Sequence, residues 1–246
     1  MPSASNTFST LVAGVRTVAA LVAVGTYVLA FGPPVLLWTV LSRDPRFIYR
    51  AGGWGVSLGL FLVGIRLSVS GMENLHPAAV YACNHSSNIE PPAIFMALRP
   101  LFPRLRIVYK AELRKLPVLV WVFDAAGFVP LERGNPEQSR PAIDRAAQAL
   151  REGNAFVIFP EGTRSRTGEL LPFKKGGFLM AIKAQAPIIP VAVSGGRDAM
   201  RKGSPLIWPV TVKVSLGAPV STAGLATSDR DGLVEQVRES IRQRLS

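Results

Sequence analysis

From Thr17 to Ser42 the chain runs for 26 residues without a charged side chain. As one helix this stretch would measure roughly 39 Å, enough to cross a bilayer core of ~30 Å. Pro33 and Pro34 interrupt the run, and each removes a backbone donor from any helix that includes it. After the polar turn Arg43-Asp44-Pro45-Arg46 and Arg50, a second uncharged stretch covers Ala51 to Ile65, 15 residues and short for a span. Two arrangements fit: a pair of transmembrane helices, or a hairpin of kinked helices that enters one leaflet and returns. The shallow hairpin is preferred, with buried core helices as the bland alternative. A cleaved signal peptide is disfavoured, because the first cation is Arg16, the apolar run is too long, and no clear small-residue cleavage site follows it.

Inside the second stretch, Gly55-Val56-Ser57-Leu58-Gly59 formally matches a nucleophile elbow. An elbow needs a strand before it and a helix after it, which an apolar run does not provide. Ala51, Gly55 and Gly59 recur at every fourth residue, so on a helix they form a small-residue stripe that lets another backbone approach closely.

Charge narrows the partners. Lys and Arg number 28 against 16 Asp and Glu, a formal balance of +12, in a chain that is 48% hydrophobic. Cationic and greasy together point to a membrane surface, its anionic headgroups, or acidic substrates. Nucleic acid is disfavoured, because only 8% of residues are aromatic and no run interleaves rings with Lys or Arg as a stacking groove would. The single cysteine, Cys83, excludes a disulfide framework, and together with only two histidines it leaves no convincing transition-metal site.

Beyond Arg66 short apolar runs alternate with helix-like segments, the pattern of an α/β sheet with crossover helices. Expected strands are Ala79 to Cys83, Arg106 to Tyr109, Gly127 to Leu131, Ala155 to Phe159, Ile188 to Val193 and Val210 to Leu216. Ile143, Ala146, Ala147 and Leu150 make one amphipathic helix face, and Leu233, Val237, Ile241 and Leu245 make another. With no internal repeat and no long linker, the expected organisation is a membrane-binding two-helix hairpin over 1–68 and one α/β catalytic domain over 69–246. That domain is expected to hold a mixed, largely parallel sheet flanked by helices.

The chemistry concentrates around His85, which follows an expected strand in Tyr81-Ala82-Cys83-Asn84-His85-Ser86-Ser87-Asn88-Ile89-Glu90-Pro91-Pro92. Two prolines suit the first turn of a helix, so the strand end presents the histidine and the helix start holds the acid. A carboxylate brought back against the imidazole fixes its tautomer and stabilises the imidazolium, leaving the other nitrogen to take a proton from a hydroxyl. Cys83 is the alternative nucleophile, although a buried free cysteine is common. His76, in Asn74-Leu75-His76-Pro77, reads as a surface turn.

Asn84-His85-x-x-x-x-Glu90-Pro91-Pro92 resembles the first block of the glycerolipid acyltransferase family, in particular its 1-acylglycerol-3-phosphate branch. The family normally has Asp where this chain has Glu90, which keeps the charge on an arm one methylene longer. Lys110-Ala111-Glu112-Leu113 with Pro117 and Gly127-Phe128-Val129-Pro130-Leu131-Glu132-Arg133 are similar to the second block. Phe159-Pro160-Glu161-Gly162-Thr163-Arg164-Ser165 resembles the third and Ile189-Pro190-Val191-Ala192-Val193 the fourth, so the likeness covers roughly Gly71 to Gly217. Four blocks in register are a far stronger signal than any one of them.

The resemblance implies direct transfer of a fatty acyl group from an acyl thioester to the sn-2 hydroxyl of 1-acylglycerol-3-phosphate, giving phosphatidic acid. His85 is then the base and Glu90 its acid. The donor is acyl-CoA or acyl carrier protein as co-substrate, with no other cofactor. Arg133 and Arg164, each directly after an expected strand, suit a bidentate phosphate, with Lys110 as a third cation. Glu161 is expected to orient Arg164 or to accept from an acceptor hydroxyl. Gly162 permits a tight turn that frees backbone N–H groups for an anion, and Thr163 of the same turn completes the substrate-binding set. Arg43, Arg46 and Arg50 argue that the hinge, and with it the catalytic domain of a membrane-bound protein, faces the cytoplasm. The rival readings are a family member acting on another lysophospholipid or an amino-lipid, and a noncatalytic lipid-binding homologue.

Overall fold

The computed structural model describes residues 7–115, 117–131 and 136–245. Helix α1 (Thr7–Ser42) is one continuous helix that passes through Pro33 and Pro34, so the expected interruption does not occur. Packing on both sides of the prolines outweighs the two lost donors. Val35 and Leu36 pack against the core, and the Thr39 and Ser42 hydroxyls tie the last turns by donating to Val35 O and Trp38 O. Among the described residues α1 is the one helix long and apolar enough to cross a membrane, and its flanks, including Leu11, Val15, Leu21 and Leu29, are exposed.

Helix α2 (Arg46–Leu62) returns alongside α1. Gly59 faces Val24, Gly55 faces the Tyr27 ring, and the Tyr27 hydroxyl donates to Ala51 O at 2.9 Å. A Cβ at Gly55 would lie 3.0 Å from that ring, so the small-residue stripe is where the two helices meet. The Tyr49 hydroxyl, buried, donates to Leu105 O and Ala126 O, which joins α2 to the sheet domain. Between the helices lies an open apolar cavity of about 840 Å³ with Ile89, Pro92 and Val122 along one wall.

The described strands form one sheet in the order β1 (Arg66–Ser70), β7 (Thr211–Leu216), β6 (Ile188–Ser194), β2 (Val80–Cys83), β5 (Ala155–Ile158), β3 (Leu105–Lys110), β4 (Val129–Leu131). Every pairing is parallel except β6 with β7. Six strands lie where the apolar runs place them. The seventh, β1, was not among them: it is an exposed edge strand whose Arg66, Ser68 and Ser70 break the apolar signal, and it straddles the expected boundary at residue 68.

Alternation along the strands builds two cores. Tyr81, Cys83, Val157, Val191 and Val214 face α2 and α3 (Glu90–Ala97). Val80, Ala82, Phe156, Ile158 and Ile188 face α5 (Pro136–Arg151), α6 (Gly176–Ala184) and α8 (Arg230–Leu245). Ile143, Ala146, Ala147 and Leu150 of α5 and Leu233, Val237 and Ile241 of α8 are buried there, as their spacing predicts. Helix α4 (Pro117–Ala125) and the short α7 (Gly196–Ala199) complete the order. The neighbouring strands β2 and β5 send their following helices, α3 and α6, to opposite faces. In parallel sheets that divergence opens a crevice outside the carboxyl ends of the strands.

Candidate active site

His85 stands at that crevice, two residues past the end of β2. Asn84 extends the strand pairing with its side chain: Nδ2–H donates to Val193 O at 2.9 Å, and Oδ1 accepts from Val193 N–H at 2.7 Å. The chain is thereby held against β6 up to the residue before the histidine. His85 is then fixed by the loop after β5. Its N–H donates to Glu161 Oε1 at 2.6 Å, and its carbonyl accepts from Ser165 N–H at 2.7 Å. Phe159 lies against the imidazole with ring centroids 4.3 Å apart.

Glu90 opens α3, followed by Pro91 and Pro92 in the first turn, where missing N–H groups cost nothing. Its side chain curls back, and Nδ1 of His85 lies 2.9 Å from Oε2. The same oxygen accepts from Ser86 N–H at 2.7 Å, while Oε1 accepts from the Ser86 hydroxyl at 2.5 Å. The glutamate is fully buried and the histidine side chain is 17% exposed, so the ring reaches the surface of the crevice and its partner does not. A carboxylate accepts only, so Nδ1 carries the proton and Nε2 is left as the free basic nitrogen. The longer glutamate arm therefore reaches the imidazole, and the helix N-terminus favours its charge.

The other expected site residues divide. Glu161 is buried, and Oε2 accepts from Leu171 N–H at 3.0 Å while Oε1 takes His85 N–H. Both oxygens are turned to backbone amides of the loops that frame the histidine, a scaffold role; that it orients Arg164 or meets an acceptor hydroxyl stays an expectation. Burial is the largest influence on its carboxyl and raises it above the ordinary value, against the two amide bonds. Gly162 has φ +68°, and the Lys174 side chain packs over it where a Cβ would stand. Thr163 is exposed and Arg164 half-buried; Lys202 Nζ donates to Arg164 O at 2.8 Å and reaches Thr163 Oγ1 at 3.4 Å. Lys110 ends β3 at the same sheet edge. Arg133 lies outside the described residues.

A cavity of about 120 Å³ runs inward from His85, walled by Val108, Val129, Ala146, Ile158, Gly177 and Met180, with Lys174 and Gly162 also on its lining. Pro190 of the fourth block pairs with Ala82 inside the sheet. Cys83 faces the buried α3 side, and burial pushes its thiol well above the ordinary value, with the Glu90 charge adding to the rise. Asn84, Ser86, Ser165, Gly196 and Lys202 carry the arrangement, and none of them has a role assigned from the sequence: Asn84 and Ser165 stand there only as members of motifs. Their partners come from over a strand away or from the next turn, which spacing alone does not display.

Residues 66–194 match the family described as Acyltransferase. The chain is 33% identical over 210 residues to the 1-acyl-sn-glycerol-3-phosphate acyltransferase of Limnanthes douglasii, covering 83% of this chain and 73% of that protein. It is 32% identical over 192 residues to 1-acyl-sn-glycerol-3-phosphate acyltransferase alpha of Mus musculus, covering 74% of this chain and 64% of that protein. The crystal structure of the 1-acyl-sn-glycerophosphate (LPA) acyltransferase PlsC from Thermotoga maritima superposes with a TM-score of 0.78 at 25% identity, over 94% of this chain and 93% of that one. A histidine held by a buried carboxylate at the carboxyl edge of a largely parallel sheet, within a matched segment of this extent, establishes that the chain belongs to the acyltransferase family.

Proposed function

We propose that this acyltransferase moves a fatty acyl group from an acyl thioester to the sn-2 hydroxyl of 1-acylglycerol-3-phosphate. The observation that carries the reading is the 2.9 Å contact between His85 Nδ1 and the buried Glu90, at a histidine that lines an apolar cavity. Nε2 takes the hydroxyl proton as the acceptor oxygen attacks the thioester carbonyl. The new C–O bond forms, the C–S bond breaks, and the imidazolium returns its proton to the departing thiolate. Glu90 stabilises the imidazolium between these two transfers. The substrate supplies the nucleophile, so no serine or cysteine of the chain is needed.

The names of the relatives support lysophosphatidate as the acceptor. Lys110, Arg133, Thr163, Arg164 and the Gly162 turn are the proposed phosphate-binding set, joined by Lys202 through its hold on the Arg164 carbonyl. The apolar cavity beside His85 suits the donor's acyl chain, delivered as acyl-CoA or on acyl carrier protein. The exposed apolar flanks of α1 and the cavity between α1 and α2 support attachment to membrane lipid, with Arg43, Arg46 and Arg50 on the cytoplasmic side. The test is a labelled acyl thioester offered to purified protein with lysophosphatidate in detergent micelles. Phosphatidic acid and one free thiol per turnover are expected. Thiol release without acceptor would identify a thioesterase instead, and product only with other lysolipids would replace the acceptor.

A further inference from the structure

We infer that Gly196 is a positioning residue for the catalytic pair, its missing side chain being the space into which Glu90 folds back to reach His85. The inference rests on the His85–Glu90 reading above. Two glycines follow β6, and they are glycine for different reasons. Gly195 has φ +80°, and a Cβ there would sit 2.4 Å from Thr211 O, so its backbone conformation and the adjacent strand both require it. Gly196 has no such φ and begins the short helix α7, where alanine would be the better residue by propensity. What excludes a side chain there is Glu90: a Cβ at Gly196 would lie 2.8 Å from Oε1, 2.9 Å from Cγ and 3.3 Å from Cδ, its three nearest atoms.

Glu90 has nowhere else to go. It is fully buried, Oε1 is held by the Ser86 hydroxyl, and Oε2 is held by Ser86 N–H and the imidazole. A methyl group at 196 therefore displaces the carboxylate from His85 without touching the crevice where substrate binds. Misplacement of a catalytic group by about 1 Å costs on the order of 100-fold in rate. The loss falls on kcat, because the ground-state contacts to lysophosphatidate are made elsewhere.

The test compares Gly196→Ala, Glu90→Asp and the double variant, with His85→Ala as reference. Gly196→Ala is expected to lower kcat by about 100-fold with KM for lysophosphatidate changed less than about twofold. Glu90→Asp sets a reduced baseline. The double variant is expected to exceed Gly196→Ala by about tenfold or more, since shortening the arm removes the methylene that the new Cβ meets. Should Gly196→Ala lose its cooperative unfolding transition, recovery of that transition in the double variant supports the same pairing. Wild-type kcat in Gly196→Ala, or a double variant no better than Gly196→Ala alone, overturns the inference. Undiminished transfer by His85→Ala instead removes the underlying reading, and with it the role of Gly196.

Discussion

The backbone N–H of His85 donates to Glu161 Oε1 at 2.6 Å, and the other oxygen of that carboxylate accepts from Leu171 N–H, ten residues further along the same loop. The loop after β5 is thus folded around a buried carboxylate that also fixes the His85 main chain. Glu90 holds the ring and Glu161 holds the backbone, so the imidazole is located from two directions.

Glu161→Gln offers one oxygen and one amide in place of two acceptors, and sets a donor against either His85 or Leu171. A destabilisation of about 1–3 kcal/mol at neutral pH is expected from the unpaired amide, with reduced transfer. The pH dependence follows from the raised carboxyl. A folded value above the unfolded one means the folded state holds the proton more readily. The associated stability is present below the ordinary carboxylate range and is lost as pH rises through the raised value. Chemical denaturation of both proteins across pH 4 to 8 should show the wild-type advantage over Gln shrinking with pH; an advantage that grows would contradict this.

Cys83→Ala should retain transfer. The thiol is buried, held protonated at neutral pH, and lies on the core side of β2. Native protein is expected to resist a thiol-specific reagent at pH 8 and to react fully once unfolded. Loss of transfer in Cys83→Ala with an unchanged unfolding midpoint would revive a cysteine nucleophile.

Lys202→Ala should raise KM for lysophosphatidate by about tenfold, the worth of one charge-assisted hydrogen bond, with kcat little changed. Lys202 comes from the segment after α7 and holds the Arg164 carbonyl and the Thr163 hydroxyl. An unchanged KM would show that the turn keeps its shape without this lysine.

The strands and the site histidine were legible because burial leaves a continuous apolar run and because a polar cluster at its end has no packing reason to exist. Edge strand β1 was not, since Leu67 and Val69 alternate with residues that look like loop. The continuity of α1 through two prolines was hidden for a related reason: local propensity argued for a break, and packing against α2 decided otherwise. Glu161 shows where spacing runs out. Its place after β5 was evident, but its partners, His85 and Leu171, are backbone amides that any residue type supplies. Gly196 is harder still, because a glycine at a strand end reads as a turn until Glu90 is seen lying against it.

The most direct measurement is the initial rate of phosphatidic acid formation from a labelled acyl thioester and lysophosphatidate, for wild type and His85→Ala at matched micelle binding. The account predicts a loss of about 100-fold or more for the variant, the scale of a positioned general base. Equal rates for the two proteins would contradict it.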